Sequence, residues 1–318
     1  MPESSYVPLF PVGAGRQFVF VEPSGKVAIE QRFDWAYSFH QGLARVGTGG
    51  KFGFIDQTGS FVIDPTFSDA GDFKEERARA RQEKGWGFIG KQGNAIAGGP
   101  WDGVSDFSEG RARVLKDGKY GYVDSTGAVV VPPTLDCGDD FSDGLARVES
   151  NGKRYYIDSS GKTTLEVSYA EFREFSEGLA AIWTDDAWGF MDKSGAVAIK
   201  PEYGQAFHFS EGLAPVQQKS PAAGERYASW KYIDRTGQEI IAPGFRWAYG
   251  FHDGLASVQT MESSGLWGYA DRSGNWVIAP GFSFAGEFLG EVALVRADDH
   301  HPGLVRRDGK LIWDPMAE

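Results

Sequence analysis

Cysteine is almost absent from this chain: Cys137 is the only one in 318 residues. A single thiol excludes an intrachain disulfide, so no redox staple holds the fold and a reducing compartment is permitted. Positive charge is also scarce. There are 32 Lys and Arg against 44 Asp and Glu, for a net charge of −12. Phosphate contacts need a basic surface, so this balance speaks against nucleic-acid or anionic-membrane binding and suits a basic protein partner. Nowhere is there a run approaching the ~18–20 apolar residues that span a bilayer. The opening MPESSYVPLF lacks the basic region and apolar core of a secretory signal, and the expected address is the cytoplasm.

Repetition is what the chain has instead. The phase marker Gly-Leu-Ala-Arg-Val, or a variant, begins at Gly42, Glu76, Gly110, Gly144, Gly178, Gly212, Gly254 and Glu291, and its first five steps are 34 residues each. One further step back reaches Pro8. A period of this size means a quasi-one-dimensional array of supersecondary units. The expected organisation is a single repeat domain over residues 8–318, with nine units starting near 8, 42, 76, 110, 144, 178, 212, 254 and 291, after an N-terminal extension of residues 1–7.

Each unit reads as a three-stranded antiparallel meander. In the unit opening at Gly42, Leu43 to Val46 are a short apolar strand and Gly49-Gly50 a tight turn. Lys51 to Ile55 alternate as a second strand. Asp56-Gln57-Thr58-Gly59 is a turn, Phe61 to Ile63 a third strand, and Pro65 ends it. The turn returns at Asp124, Asp158, Asp192, Asp234 and Asp271. Each copy offers one carboxylate, short of a calcium loop's run of oxygen ligands, so these are hairpin turns and no metal is expected. In the linker an apolar residue recurs every third position, as in Phe67, Ala70, Phe73 and Phe282, Ala285, Phe288. That spacing predicts about one turn of 3₁₀ or α-helix laying its aromatics on the next meander.

The second strand carries the recognisable motif: Lys84–Gly90 reads KGWGFIG, Gly118–Asp124 GKYGYVD, Ala187–Asp192 AWGFMD and Leu266–Asp271 LWGYAD. With the turn after it, this resembles the WG-repeat (KWG-repeat) proteins common in bacteria, over essentially the whole chain. The pair is lost at Arg154-Tyr155, at Trp230-Lys231 and in the final unit at Leu304-Val305. The resemblance implies an all-β repeat scaffold sometimes found in toxin or secretion settings, and no shared active site. The expected fold is an open, twisted, solenoid-like stack of meanders, with a closed propeller-like ring as the alternative.

Where units differ, function is expected. The stretch between the first and second strands is constant in the early units, then grows: fourteen positions from Val216 to Trp230, nine from Val258 to Trp267 and nine from Val295 to Leu304. Insertions at one point of a repeat share an edge of the array and often build its binding surface. The candidate partner-binding residues are therefore Lys219, Glu225, Arg226 and Tyr227 in the longest insertion and Asp298, Asp299, His300 and His301 in the last. Adjacent histidines in an extended segment point apart, so the His300-His301 pair is not read as a metal site.

A second difference lies in the marker's arginine column. Arg45, Arg79, Arg113 and Arg147 are followed there by Ala181, Pro215, Ser257 and Leu294. The linker-end acids Glu75, Glu109, Asp143 and Glu177 share the period, and a ladder of Arg-carboxylate pairs is expected between the two columns. No catalytic constellation or cofactor motif stands out. The leading expectation is a non-catalytic protein-binding scaffold, such as an adaptor or immunity-type protein that masks a secreted bacterial effector or toxin. The alternative is glycan or cell-wall fragment binding by repeated aromatic pockets.

Overall fold

The computed structural model describes residues 8–14, 16–96, 98–220, 227–262, 264–296 and 302–313. All regular structure among them is antiparallel β-sheet, and no helix is present among the described residues. The chain divides into two compact units, Met1–Glu166 and Val167–Glu318.

The first unit begins with a three-stranded sheet, Phe10–Ala14, Gln17–Val21 and Val27–Phe33. A four-stranded sheet follows: Trp35–His40, Leu43–Thr48, Lys51–Ile55 and Phe61–Phe67. The pattern returns around Arg77–Gln82, Arg111–Lys116 and Leu145–Ser150. In the second unit the ten-residue strand Val197–Ala206 closes one meander and opens the next, fusing two sets into a seven-stranded sheet from Glu171–Ser176 to Glu239–Phe245. Two four-stranded sheets follow, centred on Leu255–Gln259 and Val292–Arg296.

The linker corrects the sequence reading. It is a strand and not a helical turn, and it adds a fourth member to the meander that follows it. Trp35–His40 pairs antiparallel with Leu43–Thr48, with Ala36 opposite Val46 and Phe39 opposite Ala44. The linker advances three residues while its partner advances two, so one residue is bulged. The step of three from Ala36 to Phe39, which imitates a helix, is a strand's period of two plus that bulge.

Each sheet has a bulky face and a small face. On the sheet of Leu43–Thr48 the bulky face offers Leu43, Phe54, Ile63 and Phe67, which pack against Ala70, Ala78, Ala80 and Ile89 of the next sheet. In the second unit Leu255, Tyr269, Ile278 and Phe282 meet Ala285, Ala293, Val295 and Val305 in the same way. Large-on-small packing lets neighbours close without voids. A buried side chain of this size contributes about 1.5–3 kcal/mol only when covered, so each sheet depends on its neighbour. The linker aromatic completes the contact: Phe73 meets the Phe54 ring at 4.8 Å, and Phe288 meets Tyr269 at 4.7 Å.

The glycine of the Trp-Gly pair has a steric reason. Along the second strand the register jumps from Phe52 opposite Phe67 to Phe54 opposite Ile63, four residues of the third strand against two of the second. The surplus around Pro65 folds over the second strand. A Cβ on Gly53 would lie 2.5 Å from the Ile63 carbonyl oxygen, and one on Gly121 2.4 Å from that of Val131. The same register corrects the last unit. Val295 faces Gly303, as Val46 faces Gly53, so that unit keeps its glycine and Pro302 holds the aromatic position.

Candidate binding surfaces

The roots of two of the three insertions, residues 217–220 with 227–229 and residues 259–262 with 264–266, are described. Each lies between the first and second strands of its sheet, and Arg246 stands at both. Its guanidinium sits 4.6 Å from the centre of the Tyr227 ring, and a Cβ on Gly265 would meet its Nη1 at 2.6 Å. The roots of the insertions are tied down. The buried Ser229 donates its hydroxyl to Gln218 Oε1 at 2.9 Å, and Gln259 Nε2 donates to the Gly265 carbonyl at 2.6 Å. Of the sequence-predicted site residues, Lys219 and Tyr227 are placed, both exposed. Glu225, Arg226, Asp298, Asp299, His300 and His301 lie outside the described residues.

Lys219 lines a pocket of about 400 Å³ with Glu202, Tyr203, Val216, Lys231, Ile233 and Glu239. Lys231 stands where other units have the glycine of the Trp-Gly pair, and its Nζ donates to Glu239 at 2.8 Å. Burial, reinforced by the neighbouring Glu202 carboxylate, pushes the Tyr203 hydroxyl up to about 12, so it stays a neutral donor at physiological pH. The departure at Trp230-Lys231 thus adds a cation to this pocket, a consequence visible only once the strands are paired.

The repeated polar columns also resolve, with different partners from those expected. The arginines do meet acids, but acids of the linker's middle. Arg45 Nε lies 3.0 Å from Asp72, Arg79 Nε 2.9 Å from Asp106, and Arg147 Nε 2.5 Å from Asp139. The linker-end acids instead accept backbone hydrogen bonds from the next repeat: Glu75 from the Gly110 amide, Glu109 from Gly144 and Glu177 from Gly212, at 2.8–2.9 Å. The reason is conformational. Glu75, Glu109 and Glu177 have φ of 50–53°, and from that backbone their carboxylates reach the glycine amide of the next repeat. Serines of the adjacent column act likewise: Ser108 donates to the Phe141 carbonyl and Ser176 to that of Phe209, both at 2.7 Å.

In the hairpin turns the aspartate is taken up by the turn itself. Asp56 Oδ1 accepts from the Thr58 amide at 2.8 Å, the Thr58 hydroxyl at 2.6 Å and the Ser60 amide at 3.1 Å. The Thr58 hydroxyl is the main cause holding this carboxyl below its usual range, and side-chain hydroxyls do the same at Asp124, Asp158, Asp192 and Asp234. Cys137 is exposed on a two-residue strand, Cys137–Gly138. No helix among the described residues is long and apolar enough to cross a membrane.

These paired second strands, with Gly53, Gly121, Gly189 and Gly268 under a crossing third strand, coincide with a known repeat. The model of the WG containing repeat matches at residues 20–52, 52–85, 86–120, 120–153, 156–182, 188–220, 230–260 and 267–299. The chain belongs to the WG-repeat family. No curated protein matches this WG-repeat chain. Among solved structures it is similar to a eukaryotic initiation factor at 11% identity, over 98% of this chain and 96% of that one, with a TM-score of 0.68. It is also similar to BamB from Moraxella catarrhalis, at 13% identity over 80% and 93% of the two chains with a TM-score of 0.40. The likeness to the initiation factor concerns fold alone, a propeller-like one. No sheet of this WG-repeat protein is itself closed among the described residues.

Proposed function

We propose that this WG-repeat protein is a non-catalytic protein-binding scaffold whose partner engages the insertion edge of the second unit. The supporting observations are the meeting of two insertions at Arg246 and a pocket that holds Lys219, at the root of the first insertion, with Lys231. Tied roots present polar and aromatic side chains from a rigid sheet, the arrangement by which scaffolds carry recognition loops. The acidic chain suits a basic partner, and an adaptor or immunity-type role toward a secreted effector is the specific form proposed. Deleting Ser220 to Ala228 leaves the Ser229 anchor in place. It is expected to weaken capture of the native partner at least tenfold with little change in the thermal midpoint, and unaltered capture would reject the loop as the site.

Glycan binding is the second reading. It draws on the half-exposed rings of Trp35, Trp247 and Trp276, which could stack on sugar faces. It predicts quenching of tryptophan fluorescence by cell-wall fragments, and a flat titration would remove it.

A further inference from the structure

The linker and marker read WAYSFHQGLARV from Trp35 and WAYGFHDGLASV from Trp247. The two copies share their aromatic and histidine positions and differ at the arginine column, Arg45 against Ser257. In the first copy Arg45 fills the cleft between its sheet and the next linker. Its guanidinium lies 3.5 Å from the centre of the Tyr37 ring and 5.7 Å from that of Phe52. It bonds Asp72 at 3.0 Å and donates to the Ala70 carbonyl, while His40 shares the carboxylate at 3.8 Å.

Pairing places the same cage around Ser257. Ala248 faces Val258 as Ala36 faces Val46, and Gln259 faces Trp267 as Gly47 faces Phe52, so Tyr249 and Trp267 stand where Tyr37 and Phe52 stand. Tyr249 and Trp267 stack at 5.4 Å and 17°. Glu287 takes the place of Asp72 and has its histidine too, His252 at 3.3 Å. With the arginine gone, a cleft of about 420 Å³ remains, lined by Tyr249, Ser257, Phe284, Gly286, Glu287 and Leu294. Ser257 is 3% exposed and its hydroxyl has no hydrogen-bond partner, a costly state for a buried polar atom. Arg296, over Phe284 at 5.7 Å, does not line the cleft.

We infer that this cleft receives an arginine side chain from a partner protein, inserted where the second repeat inserts its own. An aromatic face, a carboxylate and a buried hydroxyl acceptor match a planar guanidinium better than a lysine's compact ammonium. The net charge of −12 favours approach of such a segment. The inference rests on the scaffold reading but places recognition at a different site from the insertion edge.

The test titrates the full chain with a capped Gly-Arg-Gly peptide and its citrulline twin, read by tryptophan fluorescence and calorimetry. The arginine peptide is expected to bind at least tenfold more tightly than the neutral isostere, with the lysine peptide between them. Ser257→Arg should restore the internal plug and lower affinity more than tenfold while raising the thermal midpoint. Glu287→Gln, which keeps the shape, should lower affinity about fivefold or more. Equal binding of the citrulline peptide, or undiminished binding by folded Ser257→Arg, overturns the assignment. Capture of the native partner separates the two ideas. If Ser257→Arg retains it as wild type does, the cleft is rejected and the scaffold stands; if neither captures any protein, both fall.

Discussion

The carboxylate of Glu75 accepts a hydrogen bond from the Gly110 amide at 2.8 Å, across a separation of 35 residues. Residues at one phase of consecutive repeats are therefore joined directly. Gln41 makes the same contact with the Glu76 amide at 2.7 Å, and Glu211 reaches the Gly254 amide at 3.0 Å. The sheets pack by apolar faces that could slide; the acid-to-amide ladder fixes their phase. Replacing Glu75 by Ala strands the Gly110 amide in a half-buried turn and should cost about 1–2 kcal/mol. Glu75→Gln keeps an acceptor and should cost less than half of that. Urea denaturation with an unchanged m-value would give both numbers, and a larger loss for Gln than for Ala would reject the ladder.

The glycines of the Trp-Gly pairs are not equivalent. A Cβ on Gly121 would sit 2.4 Å from the Val131 carbonyl oxygen and 2.7 Å from Pro133 N, both backbone atoms, whereas one on Gly87 meets nothing within 4 Å. Gly121→Ala should therefore destabilise by more than about 3 kcal/mol or prevent folding, because the third strand must shift to admit it. Gly87→Ala should be neutral or stabilise by up to about 1 kcal/mol through the unfolded chain. Thermal melts of the two variants decide this; similar midpoints would show that the crossing strand is not what demands glycine.

The turn aspartates give the fold an acid limit. Hydrogen bonds from Thr58, Thr126 and Thr236 hold Asp56, Asp124 and Asp234 below their unfolded carboxyl range. The unfolded chain then binds protons first as pH falls. The stabilisation is complete above the unfolded value of about 4 and is lost as pH drops through the depressed folded values. Stability measured from about pH 7 downward should stay level with respect to these groups and decline below about 4. Asp124→Asn should be less stable than wild type at neutral pH and converge on it in acid. A difference that persists at low pH would assign the effect to shape and not charge.

The second strand and its turn were legible in the sequence because both are local. Alternation at Lys51 to Ile55 and the Asp-x-Thr-Gly turn need only neighbouring residues to specify them. The linker was not, because Ala70 and Phe73 are spaced by a strand period plus one bulged residue, and that sum equals a helical step. The arginine column was visible, including its end at Ala181, Pro215, Ser257 and Leu294. Its partners were not: Asp72 and Glu75 are both acids of one linker, and only the folded chain shows Asp72 against Arg45 and Glu75 against the Gly110 amide. Lys231 was legible as a departure from the Trp-Gly motif, but its meeting with Lys219 and Glu239 depends on strand pairing. The cleft at Ser257 depends on Glu287, thirty residues on and in the next sheet.

Arg45 and Ser257 are interchangeable tests of one cage. Arg45→Ser turns the second repeat's marker into that of the eighth, removing a side chain that is only 12% exposed and is held by Asp72 and the Tyr37 ring. The loss of a charge-assisted bond and a cation–π contact should destabilise the chain by about 2–4 kcal/mol. The same substitution opens a cleft between Tyr37, Phe52 and Asp72 of the kind the wild type has beside Tyr249 and Glu287. Calorimetric titration with the capped arginine peptide should accordingly change from one site to two, and Arg45→Ser combined with Ser257→Arg should return to one. A stoichiometry that stays at one in Arg45→Ser would mean that the aromatic and acidic groups do not by themselves select a guanidinium, and that the fit of Arg45 comes from its tether to the strand.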